Sequence, residues 1–230
     1  MIRAYYNATN GSIANQNYLD VMSNNIANVQ TEGYKKSKAE FADLLYSNVQ
    51  GTSGKTLVGS GSRLERVDVI FNQGAPVATG IETDYAIQGD GFFAVQYEDG
   101  TYFTRGGSFQ PTDVDGEIYL MYQGGYVLDE NEEPILIENG NINGNIGVFV
   151  TPINSDMKRA GNNLFKLENE NSEYTLSENP RLLQGYVESS GVEISDEMVK
   201  LIQIQRAFQL NSKVIQTADE IEQTINSLRG

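Results

Sequence analysis

The chain has 230 residues, enough for one or two domains with a buried core. Its 31 acidic and 16 basic residues give a formal charge of −15. That balance argues against nucleic acid as a partner, because binding a phosphate backbone takes clustered Lys and Arg. Cysteine and histidine are both absent, which excludes disulfides, thiolate nucleophiles, Cys- or His-ligated metals and the commonest acid–base side chain.

The first expected element is a helix over residues 2–29. Leu19, Met22, Ile26 and Val29 follow the three-and-four step of a seam that meets a facing helix, with Tyr5 and Ala8 in phase upstream. Seven asparagines and Gly11 make this helix poor in isolation. It therefore needs a partner, and a disordered N-terminus is expected in a free monomer. Asn10, Asn17 and Asn24 recur on one face, either as a solvated stripe or as register-fixing contacts.

Gly33 is expected to end the helix. Residues 35–64 read as an extended linker, with 36–47 a short helix or an arm and 50–62 a flexible Gly/Ser-rich loop. A β domain then spans 65–191. Val67, Val69 and Phe71 alternate, and 74–80 is rich in turns. Gly89-Asp90-Gly91 runs into Phe92, Phe93 and Val95 with no helix behind it, so it reads as a turn entering a strand and not as a phosphate cradle. Glu98-Asp99-Gly100 and Asp115-Gly116 are hairpin signals. Gly124-Gly125 precedes a strand at Tyr126–Leu128, and Ile135–Ile137, Ile146–Val150, Leu164–Leu167 and Tyr174–Leu176 follow. This spacing predicts an antiparallel barrel or sandwich, with the strand tyrosines half-buried. The acidic stretches 129–138 and 168–178 read as solvated loops and not as a metal site.

Ser195 offers an N-cap, with Asp196 and Glu197 in the first turn, and a helix over 196–228 would be about 50 Å long. Ile194, Met198, Leu201, Phe208 and Ile215 form one stripe, interrupted by Gln205 and Ser212. Val214, Ala218, Ile221, Ile225 and Leu228 form a second. The fold class is therefore α+β. Residues 1–34 and 192–230 make a discontinuous helical domain, its long terminal helices paired in coiled-coil fashion around an inserted antiparallel β domain. A unit closed by both ends of a chain is the layout of an assembly protein. No nucleophile elbow, phosphate loop or dinucleotide fingerprint occurs. An acid-only glycosidase would have to draw on Asp84, Asp90, Asp99 or Asp113. No enzyme activity, cofactor or metal is expected. No run of about 18 apolar residues occurs, and Met1–Asp20 lacks the apolar core of a secretory signal, which taken alone would place the chain in the cytosol.

Three motifs are similar to those of the bacterial flagellar rod and hook proteins. The first is Ser23-Asn24-Asn25-Ile26-Ala27-Asn28-Val29 with Thr31 and Gly33-Tyr34-Lys35. The second is Asp84–Phe93, with Phe103-Thr104-Arg105 and Gly107-Ser108-Phe109. The third is Gln184–Glu188 with Glu197-Met198-Val199, Gln205–Phe208 and Asn211-Ser212-Lys213. Gly59–Gly61, Arg66–Gly74 and Gly185-Tyr186 most resemble the distal-rod members, with proximal-rod or hook-type members the alternative. The resemblance implies export through the flagellar type III apparatus without a cleaved signal, into the periplasm or cell envelope. It further implies growth of a helical homopolymer with other rod and hook proteins as neighbours and ring proteins around it. Leu19, Met22, Ile26 and Val29 against Met198, Leu201, Phe208, Ile215, Ile221 and Ile225 are then the candidate subunit interface, joined by Asn24, Asn25, Asn28, Gln205 and Asn211. Asp84, Gly89, Asp90, Gly91, Phe92 and Phe93 mark the β-domain motif. The competing reading is a β-domain ligand-binding or adhesion module built on the tyrosine-rich strands.

Overall fold

A computed structural model describes residues 2–51, 54–138, 141–151, 157–168 and 174–229. By their contacts they fall into two compact units, one of residues 1–27, 37–69 and 193–230, the other of residues 28–36 and 70–192.

The first unit holds two long helices, α1 (Ile2–Ala27) and α2 (Ile194–Arg229). Gly11 lies against Asn211 and Asn25 against Glu197, so the helices pack antiparallel. Continuing that register, Ile221–Arg229 run on beyond the start of α1. The chain itself thus supplies α1 with a partner, and the helix expected to be disordered in a free monomer is formed. None of the described helices is long and apolar enough to cross a membrane.

Four strands complete this unit: β1 (Ser37–Asp43), β2 (Ser47–Gly51), β3 (Gly54–Val58) and β4 (Ser62–Val69), with β1 paired to β4 and β2 to β3, both antiparallel. These replace the linker expected over 35–64; residues 52 and 53 of the expected loop lie outside the described residues. The Tyr18 ring meets Phe41 of β1 edge-on at 5.3 Å, and the amides of Asn7 and Asn10 donate to the carbonyls of Gly59 and Ser60. Of the heptad asparagines, Asn10 therefore binds backbone, and Asn17 and Asn24 lie at exposed positions.

The second unit is β throughout. Its strands are β5 (Pro76–Ala78), β6 (Tyr85–Gln88), β7 (Phe92–Tyr97), β8 (Gly100–Thr104), β9 (Gln110–Val114), β10 (Glu117–Tyr122), β11 (Gly125–Val127) and β12 (Leu136–Glu138). After these come β13 (Asn141–Asn143), β14 (Val148–Val150), β15 (Met157–Gly161), β16 (Leu164–Leu167), β17 (Thr175–Leu176), β18 (Arg181–Gln184) and β19 (Tyr186–Glu188). Eleven of them form one antiparallel sheet whose main path is β13-β12-β10-β11-β7-β8-β16-β15, while β18 pairs with β6 and β19 with β5. The expected hairpins at Glu98–Gly100 and Asp115-Gly116 close, β7 pairing with β8 and β9 with β10, and a further one joins β10 to β11. Asp115 and Gly116, at φ 57° and 91°, join β9 to β10, and Gln123 and Gly124, at φ 48° and 93°, join β10 to β11. Both turns need positive φ at two successive positions, which Gly takes freely and Asp tolerates, whereas Gln123 is held there at a steric cost. The core gathers Phe93, Val95, Phe109, Leu120 and Val127, with Phe93 and Phe109 edge-to-face at 5.0 Å. Of the stretch 139–182, residues 139–140, 152–156 and 169–173 lie outside the described residues, the last being five of the eleven in the acidic stretch 168–178.

Candidate functional site

The strongest polar feature of the β unit is a buried charge cluster around Glu188, on β19. Its Oε1 accepts from Lys35 Nζ at 2.5 Å and from the Gly74 amide at 2.6 Å, and its Oε2 accepts from Arg105 Nη1 at 3.2 Å. Lys35 Nζ also donates to the Asn72 carbonyl, at 2.7 Å. Arg105 Nη2 donates to the Gly89 carbonyl at 2.8 Å, and the guanidinium lies over the Phe92 ring. All three charged side chains are almost completely removed from solvent, at 3% exposure or less. Burial pushes the Lys35 ammonium and the Arg105 guanidinium below their ordinary pKa values, and the Glu188 carboxylate pulls both back up. Around the cluster, the Gly33 amide donates to the Glu188 carbonyl at 2.7 Å and the Gly191 amide to the Tyr34 carbonyl at 2.8 Å. The Arg159 guanidinium stacks on Tyr34 and donates to the Lys35 carbonyl.

This geometry corrects the role expected for Gly33. The helix ends at Ala27, and Gly33, at φ 62°, instead presses on another backbone: a Cβ there would stand 2.5 Å from the Arg105 carbonyl carbon. Gly89-Asp90-Gly91 is the expected turn into a strand, with Phe92 and Phe93 buried behind it. Asp84 is buried as well, and its carbonyl accepts from the Gly185 amide. The acids once open to a hydrolytic reading have local partners: Asp99 accepts from the Tyr102 hydroxyl, and Asp113 from the Gly116 amide.

In the helical unit a second buried node joins both helices. Asn25 grips the Ser37 backbone from both sides, Nδ2 to the carbonyl at 2.8 Å and Oδ1 from the amide at 2.9 Å, and Nδ2 also reaches Glu197 Oε2 at 3.3 Å. Glu197 Oε1 accepts from Lys200 Nζ, and that bond raises the Lys200 pKa. Glu197, Ile204, Asn211 and Ala218, spaced by sevens, form the inward row of α2, with Asn211 half-buried. On α1, Gly11 meets Asn211 and Asn25 meets Glu197, and Ala8, Ala14 and Met22 are buried on the same helix. Asn25→Leu strips partners from the Ser37 backbone and Glu197, and a loss of about 1–3 kcal/mol in denaturant unfolding is expected.

The expected interface residues divide. Met22 and Asn25 are buried within the chain, and Leu19, Ile26, Asn28, Val29, Leu201, Asn211 and Ile215 are half-buried. Asn24 and Gln205 are exposed, as are Met198 at 56%, Phe208 at 38%, Ile221 at 40% and Ile225 at 43%. Of the apolar residues read as stripes on α2, Ala218 alone falls on that inward row. Ser195, expected as a cap, lies inside the first turn, because the helix begins at Ile194.

Both nodes are built from pairings within the chain, and among the described residues no group of three or more acids is placed to hold a metal. The class this fold defines is a structural subunit with two long terminal helices and an inserted β unit. Residues 6–35 match the flagella basal body rod protein family, 86–154 the D1 domain of flagellar hook protein FlgE/F/G, and 183–228 the C-terminal region of flagellar basal body rod FlgEFG proteins. The chain is 36% identical to flagellar basal-body rod protein FlgG of Borreliella burgdorferi, over 100% of this chain and 99% of that one. It is 33% identical to FlgG of Bacillus subtilis over the whole of both chains, and 37% identical to flagellar hook protein FlgE of Helicobacter pylori over 64% of this chain and 21% of that one. The chain belongs to the flagellar basal-body rod protein family. The Glu188 cluster draws one charged residue from each of the three matched segments: Lys35, Arg105 and Glu188.

Proposed function

We propose that this structural subunit of the basal-body rod occupies the distal rod and polymerises there into a helical tube through its terminal helices. The relatives are structural proteins by name, and the reading is non-enzymatic. One observation carries the assembly: with α1 already paired, α2 still exposes Met198, Ile202, Leu210, Val214, Ile221 and Ile225, mostly in steps of four. An apolar row this long, on a helix that also outruns its partner, is what coiled-coil-like packing against further copies would cover. Contacts of this head-to-tail kind do not close on themselves and give a filament. Other rod and hook proteins would be its neighbours at either end, and ring proteins would surround it. Export through the type III apparatus without a cleaved signal would bring it across the cell envelope.

Ile225→Asp tests this without touching the intrachain pairing, since Ile225 lies past the start of α1. A carboxylate buried without a partner costs several kcal/mol, so the concentration needed for polymer is expected to rise by roughly a hundredfold or more. Sedimentation across a concentration series reads it, with Phe208→Asp as a second variant. Polymer at the unsubstituted protein's threshold in both would overturn the helix-packing model.

A further inference from the structure

The segment 28–36 is held to the β unit in a different way from the rest of that unit. The sheet rests on an aromatic and aliphatic core, whereas the segment places one large ring, Tyr34, in a buried position. Its other attachments are polar. The Gly33 amide reaches the Glu188 carbonyl, the Lys36 carbonyl accepts from the Ile70 amide at 2.9 Å, and the Tyr34 carbonyl accepts from the Gly191 amide. Asn163 Nδ2 donates to the Glu32 carbonyl at 2.8 Å, and Arg159 closes over Tyr34. At the centre stands the Lys35–Glu188 pair, with Glu188 also holding the Gly74 amide. A buried ion pair adds little net stability over an apolar substitute, but breaking one partner out of it is costly, so it fixes one arrangement against all others.

We infer that the Lys35–Glu188 pair is a latch. It fastens segment 28–36 and the stretch 189–192 to one another and to residues 70–75, as a piece that opens locally while the sheet stays folded. Opening of this kind is expected where few apolar contacts and many backbone hydrogen bonds hold a segment. The latch lies entirely within the β unit, and its test needs only the full-length monomer, so its failure would leave the assembly reading untouched.

Lys35→Met removes the pin while leaving Glu188 paired with Arg105, so no carboxylate is stranded. Amide hydrogen exchange on the full-length monomer is the readout. The Gly33, Ile70 and Gly191 amides are expected to exchange roughly 100-fold faster, while Leu120 and Leu128, bonded to Ile135 and Ala94 in the sheet, stay within about threefold. Arg159→Met, which frees Tyr34 and the Lys35 carbonyl from above, is expected to give the same pattern more weakly. Equal acceleration at all five amides, or none at Gly33 and Gly191, would overturn the latch.

Discussion

Glu188→Ala is expected to destabilise the β unit by about 3–5 kcal/mol, because it strands two buried cations and the Gly74 amide. Burial already lowers the pKa of Lys35 and Arg105 with the carboxylate present. Without it both groups keep their desolvation cost and lose the attraction that offsets it. Denaturant unfolding of the full chain measures the loss. Replacing all three side chains by apolar ones of similar volume should restore part of it, which separates the stranding of charge from the loss of packing. A loss under about 1 kcal/mol in Glu188→Ala would show that the cluster is hydrated or open in solution.

Gly107→Ala is expected to cost about 3 kcal/mol or more, at the upper end of what overpacking a single methyl does. A Cβ at Gly107 would sit 1.6 Å from the Tyr85 carbonyl oxygen, and the Tyr85 amide donates to the Gly107 carbonyl at 3.0 Å, so neither backbone can yield alone. Gly116→Ala is the matched control. Its φ of 91° disfavours a side chain, but nothing stands within 4 Å of the new methyl, so a cost of about 1–2 kcal/mol is expected. Thermal or denaturant unfolding of the two variants side by side gives the contrast, and equal losses would show that the close approach of Tyr85 to Gly107 is relieved in solution.

Both helices and the Asp-Gly hairpin were legible in the sequence because local signals specify them. Asp115-Gly116 needs nothing beyond its own two residues to turn a chain, and a three-and-four spacing marks a helix wherever it lies. The phase of α2 was not legible. Counting apolar side chains picks Met198, Phe208 and Ile225, but the row that meets α1 is Glu197, Ile204, Asn211 and Ala218, half of it polar. Glu197 is bonded to Asn25 and Asn211 lies against Gly11, so complementarity to a facing helix outweighs hydrophobicity there. The strands over 37–64 were missed for a related reason. Their Ser, Gly and charged residues read as a linker, and it is the pairing of β1 with β4 and the ring contact of Phe41 with Tyr18 that orders them. The Glu188 cluster was beyond sequence reasoning, since Glu188 lies 153 residues from Lys35 and 83 from Arg105. Each of the three motifs was visible, but not that they meet.

The separation of α1 from its partner also sets a clock. α1 leaves the ribosome ahead of the other unit, and α2, the helix that pairs with it, only after residues 28–36 and 70–192 have been made. At roughly 5–20 residues per second, on the order of ten seconds or more pass between them. For that interval α1, a poor helix in isolation, is without its partner, and the chain cannot complete the unit from which the polymer would be built. Only a chain whose α2 has been made can close its helical unit, and one interrupted before α2 is denied that closure however well its β unit folds.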